Sequence, residues 1–247
     1  MEVVGAGFIA GHLRALGAAH PDAVVFAAGV SNATCTSRDE FAAETGLLNR
    51  TLRRCRADGR SLVYLSTAGS DLYGAIGPGV ESATAAPASA YGRHKLACEA
   101  VPAESAVRVL VLRLGSVSGP GQRPHQLVPV LARQVRGGAV VVHRGAHRDL
   151  IGVTHVVRCV DALLSAGVRE DVVNVASGVS VAVEHIVDHL ESRIGGPVRR
   201  QYVDRPDAFR ISIAKLRRLV PVVREWGFGP DYYRRVLDQY LSAEHLV

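Results

Sequence analysis

The sequence predicts an α/β protein in which helices cover both faces of a parallel β-sheet. Short apolar segments that read as strands alternate with longer helical segments along most of the chain, and this alternation is typical of a doubly wound sheet. The first apolar segment runs directly into a glycine-rich turn that opens a helix, an arrangement that receives phosphates in such sheets. With 247 residues, the chain can bury one sizeable core, or a core with a small lobe.

Strands and helices are expected in a regular order. After a strand at Val3-Val4 and a first helix, further strands are expected at 23–28, 62–65, 107–112, 139–142, 172–175 and 198–203. Longer helices are expected at 40–56, around Tyr91, and at 126–136, 155–166, 181–194, 213–219 and 231–241. The segment 75–89, rich in Gly, Ala, Ser and Pro, is predicted to be a loop. We divide the chain into a core at 1–113 and a second region at 114–247, which holds the remaining core elements and a substrate-binding lobe.

The glycine-rich turn, Gly5-Ala6-Gly7-Phe8-Ile9-Ala10, has the spacing G-x-G-x-x-A. Gly5 permits a tight turn, Gly7 lets the backbone approach a pyrophosphate, and Ala10 allows close packing of the helix. The free N–H groups at the start of that helix would face the phosphates. The turn therefore predicts a dinucleotide site.

A tyrosine and a lysine, Tyr91 and Lys95, stand four residues apart on a predicted helix. Residues at this spacing share one helix face, so both side chains are expected to enter the same space. A phenol has a pKa of about 10, and a neighbouring ammonium is expected to bring the pKa of Tyr91 toward working pH. His94 falls between them on another face, where we expect it in solvent. Because Tyr-x-x-x-Lys also occurs on solvated helices, the assignment depends on the surrounding motifs.

Together the motifs resemble the extended short-chain dehydrogenase/reductase family, which includes nucleotide-sugar epimerases, dehydratases and ketoreductases. The matching segments are the turn at 5–9, the strands at 22–29 and 62–67, Leu72-Tyr73-Gly74, the Tyr91/Lys95 pair, and 113–121, 148–153 and 173–176. They follow the family's order from residue 2 to about residue 220. The resemblance implies a Rossmann-like fold, NAD or NADP as cofactor and a nucleotide-diphosphate sugar as substrate. It also implies a homodimer formed through the helices at 40–56 and around Tyr91.

The resemblance assigns roles to particular residues. Thr67 is expected to hydrogen-bond the reacting sugar oxygen, Tyr91 to pass the proton, and Lys95 to tune the tyrosine and hold the nicotinamide ribose. The expected cofactor contacts are Gly5, Gly7, Phe8, Ile9, Ala28, Gly29 and Lys95. The expected substrate contacts are Ser31, Asn32, Ser66, Ser70 and Arg148, and of these Ser66 and Ser70 are also the alternates for the role of Thr67.

Several of these positions have a structural alternative. Ser31 and Asn32 follow the strand that ends in Ala-Ala-Gly, where they either meet a ligand or cap the loop. Arg148 resembles the family's diphosphate ligand, and the alternative is a surface ion pair with Asp149. Arg113 is either structural or close to the site.

The segment after the first helix departs from the family pattern. The family places a strand, a helix and another strand there, whereas only Ala18-Ala19-His20-Pro21 separate the helix from the next strand in this chain. The absent segment would carry the residue, about 20 positions past the glycines, that reads the cofactor's ribose. We therefore expect the sheet to end at its first strand and the adenosine half of the cofactor pocket to lack a wall. The sequence does not separate NAD from NADP.

Composition indicates a cytoplasmic enzyme that binds neither nucleic acid nor membrane. The net charge of +6 is carried by arginines in short, scattered runs, which are not typical of a nucleic-acid surface. No apolar run approaches the roughly 20 residues of a membrane span, and a strand beginning almost at Met1 leaves no room for a cleavable signal. Four scattered cysteines and histidines without acidic partners at ligand spacing predict neither a disulfide framework nor a metal site.

Three functions remain open. The favoured one is NAD(P)-dependent modification of a nucleotide-linked hexose or deoxyhexose, by 4-ketoreduction or epimerisation, with Tyr91 as proton donor and acceptor. The second is a non-redox isomerase, lyase or cyclase that uses the same side chains, and the third is a non-catalytic binding subunit. The family's 4,6-dehydratases carry Asp-Glu after the threonine, whereas Ala68 and Gly69 follow Thr67 here. A 4,6-dehydratase is therefore not expected, unless Asp71 bends back into the site.

Overall fold

The structure is a computed structural model that describes residues 1–74 and 79–244. Its strands are β1 (Glu2–Val4), β2 (Ala23–Phe26), β3 (Ser61–Thr67), β4 (Val109–Leu114), β5 (Ser116–Ser118), β6 (Ala139–Arg148), β7 (Leu150–Gly152), β8 (Asp171–Val175), β9 (Val181–Ala182) and β10 (Arg199–Asp207). Its α-helices are α1 (Phe8–Leu13), α2 (Arg38–Ala57), α3 (Ser70–Tyr73), α4 (Ala90–Ala100), α5 (Leu127–Arg136), α6 (Val153–Ser165), α7 (Val183–Ile194), α8 (Ala214–Leu219) and α9 (Tyr232–Glu244). Short 3₁₀ turns cover Arg14–Leu16, Val101–Glu104 and Pro221–Glu225.

The main sheet has five parallel strands in the order β1-β2-β3-β4-β8. One face is covered by α2 and α4, whose apolar residues pack on Phe26, Leu62 and Tyr64. The other face is covered by α1, α6 and α8, which pack on Val63 and Leu110. The predicted doubly wound α/β fold is thereby confirmed, and β1 is the outermost strand on its side of the sheet.

A second, smaller core lies in the carboxy-terminal half. There α5, α7 and α9 pack against β6 and share a separate apolar cluster that includes Leu131, Leu190 and Leu237. β6 pairs with β10 and β9, and it continues to Arg148, six residues beyond the expected end at residue 142. The short strands β5, β7 and β9 have no counterpart in the sequence prediction, because two or three residues carry too little periodicity to be recognised.

Local capping defines the two helices that bring side chains to the site. α2 begins after Ser37, whose hydroxyl accepts from the backbone N–H of Glu40, and acidic residues occupy its first turn. α4 begins after Ser89, whose hydroxyl accepts from the N–H of Gly92. Of the loop predicted at 75–89, residues 75–78 lie outside the part of the chain that the structure describes. In the part of the chain that the structure describes, no helix combines the length and the hydropathy needed to cross a bilayer.

Candidate active site

A cavity of about 820 Å³ opens beside the glycine-rich turn and the carboxyl ends of the central strands. Most of the residues expected at the site line it, namely Gly7, Phe8, Ile9, Ala28, Gly29, Ser31, Asn32, Ser66, Thr67, Ser70, Tyr91, Lys95 and Arg148. Gly5 lies behind the wall in a left-handed conformation with φ of +130°, and a Cβ there would come within 2.5 Å of the Ala27 carbonyl oxygen. The fold therefore brings together residues that are spread over 142 positions of the sequence, from Gly7 at 7 to Arg148 at 148.

The glycine-rich turn faces an arginine from a distant loop. The Arg123 guanidinium Nη2 lies 3.8 Å from where a Cβ on Gly7 would stand. Arg123 lines the main cavity and also an adjoining hollow of about 480 Å³, which shares Ala6, Gly7 and Phe8 with it. The bare turn and the facing cation fit the diphosphate of a dinucleotide, because backbone approach and positive charge are what a diphosphate needs.

The loop that carries Arg123 is held at both of its ends. His12 on α1 contacts the Pro120 carbonyl oxygen through Nε2 at 2.9 Å. The backbone N–H of Arg123 donates to the Gln126 side chain at 3.2 Å. In the described part of the chain, no carboxylate oxygen lies within 4 Å of the Arg123 guanidinium, whereas Arg113, Arg148 and Arg200 each have such a partner.

Three hydroxyl side chains at the end of β3 were candidates for the serine/threonine role, and their hydrogen bonds distinguish them. Ser66 donates to Glu99 at 2.5 Å, and Ser70 donates to Asp207 at 2.9 Å. Thr67 Oγ1 accepts from the backbone N–H of Gly69 at 3.5 Å, and it donates to no carboxylate among the described hydrogen bonds. The Thr67 hydroxyl is thus the one of the three whose proton is not already committed to a carboxylate.

Lys95 is buried in an ion pair that the sequence analysis did not anticipate. Its Nζ donates to Glu44 Oε1 at 2.8 Å, and both side chains are at most 3% exposed. The same carboxylate accepts from the Tyr64 hydroxyl at 2.9 Å and from the Val30 backbone N–H at 2.7 Å. Although burial alone would raise the pKa of Glu44, the Lys95 charge and these hydrogen bonds hold that pKa below its usual value.

The expected effect of Lys95 on Tyr91 is wrong in this structure. The Lys95 ammonium lies 5.9 Å from the Tyr91 ring centre and is neutralised by Glu44. Burial raises the pKa of Tyr91 well above that of a free phenol, and the charges of Glu44 and Asp71 raise it further, while the Thr67 hydroxyl acts in the opposite direction. The phenol, not the phenolate, is therefore the stable form of Tyr91.

The expectation for His94 is also wrong, because its side chain is only 8% exposed. The imidazole stacks on Phe41 with ring centres 4.3 Å apart, and its Nε2 lies 3.0 Å from Glu44 Oε2. Together with Cys98, these two residues bring three possible metal-ligand atoms within 4.8 Å of one another. The Glu44 oxygens already accept three donors and stand beside the Lys95 ammonium, which would repel a cation. The sequence-based expectation of no metal therefore stays a prediction.

Of the residues expected on the substrate side, Arg148 is held by an ion pair, whereas Ser31 and Asn32 lie in the loop after β2. Arg148 lines the cavity and pairs with Asp207 at 3.0 Å, not with Asp149. Asn32 caps its own loop, because its side-chain oxygen accepts from the backbone N–H of Thr34 at 3.0 Å, and it lines the cavity as well. Ser31 lies beside it, with its hydroxyl 3.4 Å from a nitrogen of His125.

Two charged residues, Arg113 and Asp149, lie in segments that resemble the family's and are structural in this chain. Arg113 is buried and donates to both oxygens of Glu99 and to the Tyr73 hydroxyl, away from the cavity lining. Asp149 is buried and accepts from the hydroxyl and N–H of Ser177 and from the N–H of Gly178. Burial raises the pKa of Asp149 to about 7, while these hydrogen bonds act in the opposite direction. Asp149 thus holds the turn after β8 and does not reach Arg148.

Two glycines, Gly92 and Gly29, allow close packing around α4. Gly92, next to Tyr91, packs on the backbone of Asp71 so closely that a Cβ would overlap the Asp71 carbonyl oxygen. Asp71 itself, on α3, lines the cavity. Gly29 has a related role, since a Cβ there would touch Lys95 Nζ and stand 2.7 Å from Glu44 Oε1.

The sequence analysis missed Glu44, Arg123 and Gly92. Glu44 carried a recognisable signal, because it precedes Leu48 and Leu52 at four-residue spacing and so falls on the apolar face of a predicted helix. A carboxylate on such a face needs a buried partner. Arg123 and Gly92 carried no such signal, since their importance depends on which segment lies opposite them.

Comparison with known proteins bears directly on this arrangement. The model of the NAD dependent epimerase/dehydratase family matches residues 10–176, more than half of the chain. The chain belongs to the NAD-dependent epimerase/dehydratase family. This agrees with the resemblance read from the motifs and with the expectation of NAD or NADP as cofactor.

Three relatives illustrate the similarity. The dTDP-6-deoxy-L-talose 4-dehydrogenase (NAD(P)(+)) of Kitasatospora kifunensis is 35% identical over 141 residues, which cover 51% of this chain and 44% of that enzyme. The match thus spans less than half of that relative's length. The structure of RMD from Pseudomonas aeruginosa complexed with NADPH superposes with a TM-score of 0.81 and 25% identity, covering 99% of this chain and 98% of that one. The NAD-dependent NDP-hexosamine 5,6-dehydratase TunA has a TM-score of 0.79 and 23% identity, covering 99% and 97% of the two chains.

Proposed function

We propose that this protein is an NAD(P)-dependent ketoreductase that acts on the 4-keto group of a nucleotide-linked deoxyhexose. The observation that carries the proposal is that one cavity is lined by the glycine-rich turn, by Thr67 and Tyr91, and by Arg148. The residues that we assign to the cofactor, to proton transfer and to the sugar-nucleotide diphosphate therefore face the same space. The relative from Kitasatospora kifunensis is a dTDP-sugar 4-dehydrogenase, which supports a 4-position reaction on a deoxyhexose.

Each side chain has a defined task in this proposal. When bound, the reduced nicotinamide supplies the hydride that reaches the keto carbon. The Tyr91 hydroxyl donates its proton to the keto oxygen, and the Thr67 hydroxyl donates a hydrogen bond to the same oxygen and so orients it. Arg148 holds the sugar-nucleotide diphosphate as a charged fork. We assign the cofactor diphosphate to the turn of Gly5 and Gly7.

The test uses a reduced cofactor and a dTDP-4-keto-6-deoxyhexose, with loss of the reduced nicotinamide absorbance as the readout. We expect turnover in the wild type, and a decrease in kcat of about 10² to 10⁴ in Tyr91→Phe, because the proton donor is lost. Cofactor affinity should be unchanged in that variant, since its ring and backbone remain. Equal turnover by Tyr91→Phe and wild type would refute the role of Tyr91. Conversion of the sugar without net cofactor consumption would indicate epimerisation instead.

One observation favours a second candidate, elimination of water from the sugar. Asp71 lines the cavity and lies close enough to Tyr91 for its charge to raise the pKa of that phenol. The carboxylate and the phenol could then act as base and acid in an elimination. Mass spectrometry of the product distinguishes the two candidates, because reduction adds two hydrogens and elimination removes a water.

A further inference from the structure

Arg14 is an exposed arginine that stands beside the glycine-rich turn. It begins the 3₁₀ turn Arg14–Leu16 that follows α1, and its Nη2 donates to the Gly5 carbonyl oxygen at 2.6 Å. Among the residues that the structure describes, no carboxylate oxygen lies within 4 Å of this guanidinium. The turn therefore has a second cation next to it, in addition to Arg123, and this one is held in place by a backbone contact.

The segment that carries Arg14 lies against β1, the outermost strand. Arg14 meets Gly5 just past the carboxyl end of β1, and at the other end the Met1 backbone nitrogen donates to the Gly17 carbonyl oxygen. β1 pairs with β2, and at the end of this pairing the N–H of Ala27 donates to the Val4 carbonyl oxygen at 2.8 Å. The next carbonyl, that of Gly5, is bound by an arginine side chain, not by another strand.

The order of the strands indicates which end of a dinucleotide would approach Arg14. Thr67 ends β3, two strands inward from β1, and Tyr91 lines the same cavity. In the proposed function the nicotinamide reacts beside those two hydroxyls, and the diphosphate crosses the turn of Gly5 and Gly7. The adenosine half would then extend away from β3, toward the outer edge of the sheet. Arg14 is held next to the turn at this edge.

The adenosine ribose is where NAD and NADP differ, because NADP carries a 2′-phosphate in place of a hydroxyl. Beside such a turn, an acidic side chain accepts a hydrogen bond from the hydroxyl, whereas an arginine accommodates the phosphate. The carboxylate of β1, on Glu2, is already paired with Arg54 and Arg60. Arg14 instead offers a guanidinium without a carboxylate partner in the described chain, and a guanidinium binds phosphate through charge-assisted hydrogen bonds.

We propose that Arg14 binds the 2′-phosphate of NADPH, in place of the ribose-reading residue of the absent segment, and so makes NADPH the preferred reductant. This inference rests on the proposed function for the use of the cofactor, and it chooses between NAD and NADP, which the sequence left open. The Gly5 contact supports the role, because one N–H committed to a backbone carbonyl orients the guanidinium before the ligand arrives. Less side-chain freedom is then lost on binding.

The experiment is isothermal titration calorimetry of the full chain with NADPH and with NADH at low ionic strength. In the wild type, we expect NADPH to bind at least about ten times more tightly, because the 2′-phosphate adds a charge-assisted contact. Arg14→Ala should weaken NADPH and leave NADH unchanged, so that the ratio approaches one. Arg14→Gln, which keeps an N–H donor and loses the charge, should have the same effect. The matched control is Arg224→Ala, which removes an exposed arginine of the 3₁₀ turn Pro221–Glu225, outside the cavity lining, and should keep the wild-type ratio.

The outcomes separate this inference from the proposed function. A wild type that binds NADH as tightly as NADPH, or that binds neither, overturns the inference. Equal weakening of both dinucleotides in Arg14→Ala also overturns it, because a merely structural support of the Gly5 turn would have that effect. If neither variant folds, the wild-type ratio still decides, since a contact between exposed charges should fade as salt is added. The titration needs no sugar, so failure to reduce keto-sugars would remove the proposed function and leave this result standing.

Discussion

Replacement of Arg123 by alanine tests how this chain holds a dinucleotide next to its outermost strand. The guanidinium stands 3.8 Å from the Cβ position of Gly7, on a loop held by the contact of His12 with the Pro120 carbonyl oxygen. A charge-assisted hydrogen bond contributes about 1.5 to 3 kcal/mol. Because Arg123 is exposed, solvent screening reduces the expected loss to about 1 to 2 kcal/mol. This corresponds to a dissociation constant about 5 to 30 times larger.

Isothermal titration calorimetry with cofactor fragments tests this at low ionic strength. Arg123→Ala should weaken NADH, NADPH and ADP-ribose alike, because all three carry the diphosphate, and should leave nicotinamide mononucleotide unchanged. Arg218→Ala, which removes an exposed arginine of α8 outside the cavity lining, is the matched control. Equal affinity of wild type and Arg123→Ala for ADP-ribose would refute the reasoning. A loss confined to dTDP would instead place Arg123 on the sugar-nucleotide side of the cavity.

Two further predictions concern packing and pH. Gly92→Ala should lower the free energy of unfolding by about 1 to 3 kcal/mol, because the added methyl meets a backbone carbonyl that cannot move aside. It should also reduce kcat by displacing Tyr91. The control is Gly46→Ala on α2, where nothing lies closer than 3.5 Å, and we expect it to be tolerated in both urea and activity measurements. Burial, with the charges of Arg158 and Arg235, lowers the pKa of His155 to about 4. Between pH 6.5 and 4 the unfolded chain therefore binds more protons than the folded one. The free energy of unfolding should fall on acidification by about 1 to 2 kcal/mol after solvent screening. Urea midpoints at pH 7 and pH 5 should show a smaller difference in His155→Gln than in the wild type, and equal differences would contradict this account.

The sequence was sufficient for the parts of the site that are local in the chain. The turn of Gly5 and Gly7 is recognisable because a tight strand-to-helix connection that admits phosphate needs glycine at those two positions. The shared face of Tyr91 and Lys95 follows from helical spacing alone. The sheet was also predictable, since buried parallel strands read as continuous apolar runs and their helices as amphipathic ones.

Contacts between distant segments were not predictable in this way. Lys95 and Glu44 are 51 residues apart in the chain, and no local pattern states that α2 and α4 cover the same face of the sheet. The same limit explains why His94 was expected in solvent, because helical spacing says which side of α4 it occupies but not that Phe41 covers that side. The homodimer, the cytoplasmic location and the division at residue 113 stay predictions.

The sequence by itself identified the family through the resemblance of its motifs. It also determined the order of the longer strands and helices, because this depends on periodicity and on turn chemistry within short windows. Only the tertiary structure decided the ionisation of the site. A side chain's pKa depends on what lies within a few ångströms of it, and for Tyr91 those neighbours are Glu44, Asp71 and Thr67, which come from three different elements. The pairing of Lys95 with Glu44 likewise depends on the packing of α2 and α4 on the same face of the sheet.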